Sequence, residues 1–114
     1  MTIVGYILAG PNTLPLQNCG YSHSDTSIAQ EIKRLYIHPS GFGTGLSDSL
    51  LKQCIDWLRT KGHSSNIFLG VFSENFRALK FYERHHFKKI GEYGFVVGDH
   101  IDREFIYHLN DVSS

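Results

Sequence analysis

The stretch EIKRLYIHPSGFGTGLSDSLL, residues 31–51, decides the fold. Its first part predicts a strand that Pro39 ends, and the stretch then passes through three glycines into an apolar pattern with helical spacing. Glycine lets backbone N–H groups approach an anion closely, and the helix dipole favours negative charge at a helix N-terminus. A strand, a glycine turn and a helix start in this order predict a phosphate-binding site.

Strands and helices alternate on both sides of this stretch. The first helix begins near Leu46 and closes at Lys61-Gly62, while Ser73 can cap a second helix. Residues 10–26 are polar and predict a long loop. The strands are predicted at residues 3–9, 29–38, 66–72, 87–95 and 101–109.

This order predicts an α/β fold with a mixed sheet of about five strands and two main helices, in a single domain over residues 1–114. The apolar run at residues 66–72 predicts a central strand that is covered on both faces. In residues 29–38, simple alternation predicts two faces. One face holds Glu31, Lys33, Leu35 and Ile37, and the other holds Ile32, Arg34, Tyr36 and His38.

Composition narrows the class of partner. The chain has 114 residues and a formal net charge of zero, so no basic excess indicates nucleic acid. No apolar run reaches membrane-spanning length, and we expect a cytoplasmic protein with no membrane partner. Cys19 falls in the polar loop and Cys54 on an apolar helix stripe, so both are expected to be free thiols.

Two other phosphate-binding motifs fit the glycine turn less well. A Walker A loop needs Lys and then Ser or Thr after its last glycine, whereas Gly45 is followed by Leu46 and Ser47. The dinucleotide fingerprint needs G-x-G-x-x-G and an acidic residue on the next strand, whereas the spacing here is G-x-G-x-G and residues 66–72 contain no carboxylate. A nucleotide-binding α/β domain remains an alternative.

The chain resembles the GCN5-related N-acetyltransferase (GNAT) family in two separate segments. Residues 31–51 resemble that family's fourth strand, pyrophosphate loop and following helix, and IFLGVFSENFRALKFYERHHF, residues 67–87, resembles its fifth strand and N-x-x-A-x-x-F-Y helix. Phe42 occupies a position where the family usually has Gln or Arg, and His86 stands where it usually has glycine. A histidine can adopt a positive φ at modest cost.

The resemblance implies that acetyl-CoA is the cosubstrate and that the turn and the second helix bind it. A primary amine, from a small molecule, a polyamine or a protein, would attack the thioester directly. Glu31 matches the family's base position, and Tyr82 matches the tyrosine that protonates the departing thiolate. The residues implied in binding acetyl-CoA are Leu35, Tyr36, Ile37, Gly43, Thr44, Gly45, Leu46, Ser47, Asn75 and Tyr82.

The tail and the start of the chain carry further expectations. EYGFVVGDHIDREFI, residues 92–106, resembles the end of polyamine-type members, and Asp99, Asp102 and Glu104 would suit a polycationic acceptor.

The first expected strand resembles the family's third, which implies that the N-terminal strands and helices are absent. We expect a second copy in a homodimer, or residues 10–28 folding back, to cover the surface this leaves. A degenerate acetyl-CoA-binding or regulatory module without catalysis is the alternative function.

Seven histidines raise the question of a metal site. His85 and His86 are the only close pair, and adjacent helical residues diverge by about 100°, so they are poorly placed to share one ion. We therefore predict no metal site.

Overall fold

The computed structural model describes residues 5–16, 30–60 and 66–110. Every predicted strand and helix is present, but residues 3, 4 and 29 of the predicted strands and the predicted helix end at Lys61-Gly62 lie outside the described residues. The elements are β1 Gly5–Pro11, β2 Gln30–Ile37, α1 Leu46–Thr60, β3 Asn66–Phe72, α2 Phe76–Arg84, β4 Lys88–Val97 and β5 His100–Asn110.

The five strands form one mixed sheet in the order β1-β2-β3-β5-β4. Only β2 and β3 run parallel, and the other neighbouring pairs are antiparallel. The parallel pairing covers residues 30–32 and 67–69, and beyond it the two strands separate. The mixed α/β fold predicted from the sequence is confirmed, and β3 lies at the centre of the sheet.

Both helices pack on one face of the sheet. From α1, Leu51 and Leu58 are fully buried, and from α2, Leu79 and Tyr82 join them over β3. These apolar residues recur at helical spacing, so each helix has one apolar side, as the sequence predicted. Neither described helix is long and apolar enough to cross a lipid bilayer.

The opposite face of the sheet carries a smaller apolar cluster. Phe68 and Ile106 are buried there beneath Leu16, which is 2% exposed. Residues 12–16, part of the predicted loop, thus fold back over this face, as expected. Gly10 and Pro11, which were predicted in the loop, belong instead to β1, and residues 17–28 of the segment expected to fold back lie outside the described part of the chain.

A bulge in β2 corrects the predicted faces of that strand. Leu8 pairs with Arg34 and Ala9 pairs with Ile32, so Lys33 is the extra residue. Ile32 therefore lies with Leu35 on the helix-covered face. Glu31 lies on the opposite face, not with Leu35 and Ile37 as simple alternation predicted, because one inserted residue reverses the alternation.

Candidate functional site

A cleft of about 600 Å³ opens on the helix side of the sheet where β2 leaves β3. Its floor includes Leu35 and Ile37 from the separated part of β2, and its walls are the glycine turn, the start of α1, and α2. The cleft exists because the parallel pairing stops after three residues of each strand. A long, narrow ligand could therefore lie between the two helices and reach into the sheet.

The glycine turn is shaped by local hydrogen bonds and by two left-handed residues. The backbone N–H of Gly41 donates to the carbonyl of His38 at 2.8 Å, and that of Phe42 donates to Pro39 at 3.1 Å. Gly43 and Gly45 have φ values of +75° and +83°, a conformation that glycine adopts without strain. The turn thus connects the end of β2 directly to the start of α1.

The first turn of α1 lies at the edge of the cleft. The first four N–H groups of a helix have no partner within it, and here Ser47 and Asp48 both line the cleft. The Asp48 carboxylate accepts a hydrogen bond from Arg84 at 3.2 Å and pairs with His85 Nε2 at 2.6 Å. Both contacts lower the pKa of Asp48, and the hydrogen bond with His85 contributes most. The negative charge of Asp48 is therefore paired with groups at the end of α2.

Asn75 and Tyr82 both lie on the α2 wall. Asn75 is the N-cap of α2: its Oδ1 accepts from the backbone N–H of Ala78 at 3.2 Å, so Asn75 rather than Ser73 begins the helix. Burial raises the pKa of Tyr82 to about 12, so the phenol is protonated at neutral pH. Its hydroxyl makes no hydrogen bond to any described residue, which leaves it able to donate to a ligand.

The cleft brings together most of the residues predicted to bind acetyl-CoA. Three of the predicted residues do not line it. The Tyr36 ring lies on the opposite face against Tyr6, Thr44 Oγ1 donates to the carbonyl of Gly41, and Leu46 points towards β1 near Gly5. The predicted residues that line the cleft are Leu35, Ile37, Gly43, Gly45, Ser47, Asn75 and Tyr82.

Three basic residues of the cleft were missed by the sequence analysis. Arg77, Lys80 and Arg84 all line the α2 wall. Their spacing of three and then four residues places them on one side of a helix, and this signal was available in the sequence. Together with the turn amides, they make the cleft attractive to a polyanion.

The opposite face of the sheet holds Glu31 in a different environment. Glu31 is 7% exposed and accepts hydrogen bonds from the Thr13 backbone N–H at 2.9 Å and the Thr13 hydroxyl at 2.8 Å. Lys33 Nζ lies 3.9 Å away. The carboxylate is thus held in one position beside the point where β2 and β3 separate.

A second carboxylate lies on this face, over β3. The Tyr93 hydroxyl donates to Glu104 at 3.1 Å, and burial, followed by the charge of Glu104, raises the pKa of Tyr93 to about 12. A Cβ atom at Gly70 would lie 3.2 Å from Glu104 Oε1 and 3.3 Å from the Tyr93 hydroxyl. Leu14 Cδ2 would also lie 3.2 Å from that Cβ, so the lack of a side chain at Gly70 allows Glu104, Tyr93 and Leu14 to pack closely against β3.

Metal-binding and thiol chemistry have little support in the part of the chain that the structure describes. It contains no group of three or more His, Cys, Asp or Glu residues arranged to hold a metal ion. Cys54 is a free, buried thiol whose pKa is raised by burial. Cys19 lies outside the described residues.

Solved acetyltransferase structures share this fold at low sequence identity. Arabidopsis thaliana NAA60 in complex with acetyl-CoA is 17% identical with a TM-score of 0.74, over 95% of this chain and 66% of that one. An N-acetyltransferase from Staphylococcus aureus Mu50 is 21% identical with a TM-score of 0.72, over 94% and 60%.

A variant form of the spermidine/spermine N-acetyltransferase SpeG from Vibrio cholerae is 22% identical with a TM-score of 0.64. That match covers 73% of this chain and 51% of SpeG, so the chain spans about half to two thirds of the length of these structures. The model of the acetyltransferase (GNAT) family matches residues 2–87, which include both the glycine turn and the whole of α2. The chain therefore belongs to the GNAT acetyltransferase family.

Proposed function

We propose that this chain binds acetyl-CoA and transfers its acetyl group to a primary amine. The observation that carries the proposal is the continuity of the cleft: it runs from a glycine turn and helix N-terminus suited to phosphates to a protonated, buried Tyr82 beside the separated strands. Family membership and the acetyl-CoA complex of the related NAA60 structure support the choice of ligand.

The phosphates and the pantetheine arm of acetyl-CoA both have suitable partners in the cleft. The amides of Gly43, Gly45 and Ser47 and the basic side chains of α2 suit the phosphates, whereas the Thr44 N–H donates to the Gly41 carbonyl at 3.3 Å and the Leu46 N–H to Thr44 Oγ1 at 3.4 Å. Leu35, Ile37 and Phe81 suit the pantetheine arm, and Asn75 keeps its side-chain NH₂ group for a polar contact because capping uses only its oxygen. The side chains of Tyr36, Thr44 and Leu46 point elsewhere, and of these three only Tyr36 is proposed to contribute through its backbone N–H, since those of Thr44 and Leu46 donate within the turn.

Tyr82 is proposed to donate a hydrogen bond or proton to the thiolate that leaves when the amine attacks. A phenol with a pKa of about 12 stays protonated throughout the physiological range. It lies on the wall of a partly enclosed cleft, where a charge-assisted hydrogen bond is stronger than in water. This donor would stabilise the charge that develops on sulfur.

The acceptor amine is proposed to approach from the face that carries Glu31. An alkylammonium has a pKa of about 10.4 and must lose a proton before it can attack. Glu31 is the proposed base, because it lies where β2 and β3 separate and Thr13 fixes its carboxylate. Glu104, in front of Gly70, is the second carboxylate that could hold or deprotonate the amine.

A small amine, a polyamine or a protein amine would satisfy this chemistry. The acidic residues Asp99, Asp102 and Glu104 of the β4–β5 hairpin favour a polycationic acceptor, and the similarity to SpeG agrees with that choice. Binding of acetyl-CoA without catalysis is the second candidate, favoured by Phe42 at a position where the family usually has a Gln or Arg.

A second copy of the chain is proposed to cover the outer part of the sheet. Tyr6, Leu8 and Tyr36 are exposed on the face opposite the helices, with Leu8 52% exposed. Apolar side chains grouped in this way are typical of an interface. Light scattering on the purified protein tests this proposal: a dimer mass supports it, and a stable monomer contradicts it.

Calorimetric titration with acetyl-CoA, followed by a thiol-release assay, tests the function. The assay uses spermidine and a peptide with a free amine as separate acceptors. Micromolar binding with amine-dependent thiol release is the expected result. Binding without release supports the non-catalytic module, and no binding contradicts both candidates. Preference for ATP over acetyl-CoA would instead support a nucleotide-binding domain.

A further inference from the structure

We infer that Arg77, held over the ring of Phe42, supplies the basic pyrophosphate contact that the turn's own side chains lack. The inference rests on the proposed function, since it assigns a residue within the acetyl-CoA cleft. Phe42 replaces the Gln or Arg that relatives usually carry at that position of the turn. The positive charge then comes from α2 instead.

The geometry brings the two residues together across the cleft. Phe42 follows the 3₁₀ turn Pro39–Gly41 and immediately precedes Gly43, and Arg77 lies in the first turn of α2. The Cζ atom of Arg77 lies 4.5 Å from the centre of the Phe42 ring, well within the range of a cation–π contact. Both residues line the cleft.

Phe42 is placed to orient Arg77 rather than to fill the core. Its side chain is 47% exposed, so burial alone does not explain a phenylalanine in a polar turn. A guanidinium that contacts a ring through its face keeps its N–H donors at its edge, where they can bind phosphate oxygens in pairs. The ring thus reduces the freedom of a long side chain without using its donors.

The other two basic residues of the cleft are less suited to this role. Arg84 already pairs with Asp48 at 3.2 Å and lies at the far end of α2. Lys80 lies one turn beyond Arg77 and lacks the planar fork that binds two oxygens of one phosphate. Arg77 makes no ion pair with the described residues, so its charge is available to a ligand.

Calorimetry on four proteins tests the inference: wild type, Arg77→Gln, Phe42→Leu and the double variant. Each is titrated with acetyl-CoA and with acetyl-dephospho-CoA, which keeps the pyrophosphate but lacks the 3′-phosphate. Arg77→Gln is expected to weaken both ligands by about tenfold, since it removes a charge-assisted contact to the shared pyrophosphate. Lys52→Gln, a matched loss of charge on an exposed part of α1 outside the cleft, should leave both affinities unchanged.

Phe42→Leu tests whether the ring acts through Arg77. It should weaken binding by about threefold in the wild-type background and have no further effect in the Arg77→Gln background. Phe42→Arg combined with Arg77→Gln should restore binding, because the turn then carries its own guanidinium. Unchanged thermal unfolding of each variant separates these effects from misfolding.

Three outcomes would overturn the inference while leaving the proposed function intact. They are unchanged affinity in Arg77→Gln, a loss confined to acetyl-CoA with acetyl-dephospho-CoA unaffected, and fully additive effects of the two substitutions. The second outcome would assign Arg77 to the 3′-phosphate. Wild-type protein that binds neither ligand would overturn the proposed function together with this inference.

Discussion

The Glu31 carboxylate accepts two hydrogen bonds from Thr13, one from its backbone N–H and one from its hydroxyl. If Glu31 is the base, Glu31→Gln should lower the rate of amine-dependent thiol release by about 100-fold, since general-base contributions are commonly of that size. Glutamine keeps an oxygen that can accept both bonds, so the fold and the acetyl-CoA affinity should be retained. Steady-state kinetics and calorimetry provide the two measurements.

Glu92→Gln is the matched control for this substitution. Glu92 pairs with Lys89 and Arg103 at the surface, away from Thr13, so its loss should leave the rate unchanged. A Glu31→Gln enzyme with full activity would restrict Glu31 to a structural role. Loss of activity in Glu104→Gln would then assign the base to the carboxylate beside Tyr93.

Tyr82→Phe should slow thiol release by about 10- to 100-fold at every pH from 7 to 10. The pKa of Tyr82 is about 12, so the hydroxyl stays protonated and can donate throughout this range. Tyr107→Phe is the matched control, because Tyr107 has a similarly raised pKa but donates to Glu83 at 2.7 Å outside the cleft. It should reduce stability without a selective effect on catalysis. Equal rates for Tyr82→Phe and wild type would remove Tyr82 from the mechanism.

Gly45→Ala should lower the free energy of unfolding by about 1 kcal/mol and weaken acetyl-CoA binding. The added methyl meets no atom within 4 Å, so its cost comes from the positive φ of +83°. Relaxation of that strain would move the amides that begin α1. Gly10→Ala, which lacks a positive φ and has only Lys33 Cε within contact at 3.4 Å, should be nearly neutral in denaturant unfolding and calorimetry. Equal effects of the two substitutions would contradict this account of the turn.

The order of strands and helices could be predicted from the sequence because it depends on local patterns. The apolar run of β3 and the helical spacing in α1 are set by neighbours in the chain, and both were correct. The positive φ of 73° at His86 also agrees with the prediction that a histidine could replace glycine there.

Features that depend on distant partners could not be predicted in the same way. The bulge at Lys33 forms against β1, and it moves Glu31 to the other face of the sheet. Phe42 and Arg77 are separated in the sequence by the whole of α1 and β3, so their contact depends on how these elements pack. Such contacts depend on register and on the approach of two elements, which periodicity along the chain does not specify.

His108 should make stability fall as the solution becomes acidic. Burial lowers its pKa below the ordinary value of 6.5, so the unfolded chain takes up a proton first. Stability is therefore complete above about pH 6.5 and declines as pH falls below it. His108→Gln should flatten this dependence between pH 7 and pH 5 in denaturant unfolding. The control substitution His86→Asn, at the exposed end of α2, should keep the pH dependence of the free energy of unfolding. An unchanged pH dependence in His108→Gln would contradict its assignment to His108.

The pairing of Asp48 with His85 and Arg84 joins the start of α1 to the end of α2, and we expect it to hold the two walls of the cleft together. A double-mutant cycle with Asp48→Asn and His85→Gln should give a coupling of about 0.5–1 kcal/mol at pH 7, as for other partly exposed pairs. The pKa of Asp48 is lowered, so this contribution is present above the ordinary value of 3.8 and is lost as pH falls below it. Asp56→Asn, on the exposed side of α1, should show no coupling to His85. A coupling near zero for Asp48 would mean that other contacts set the width of the cleft.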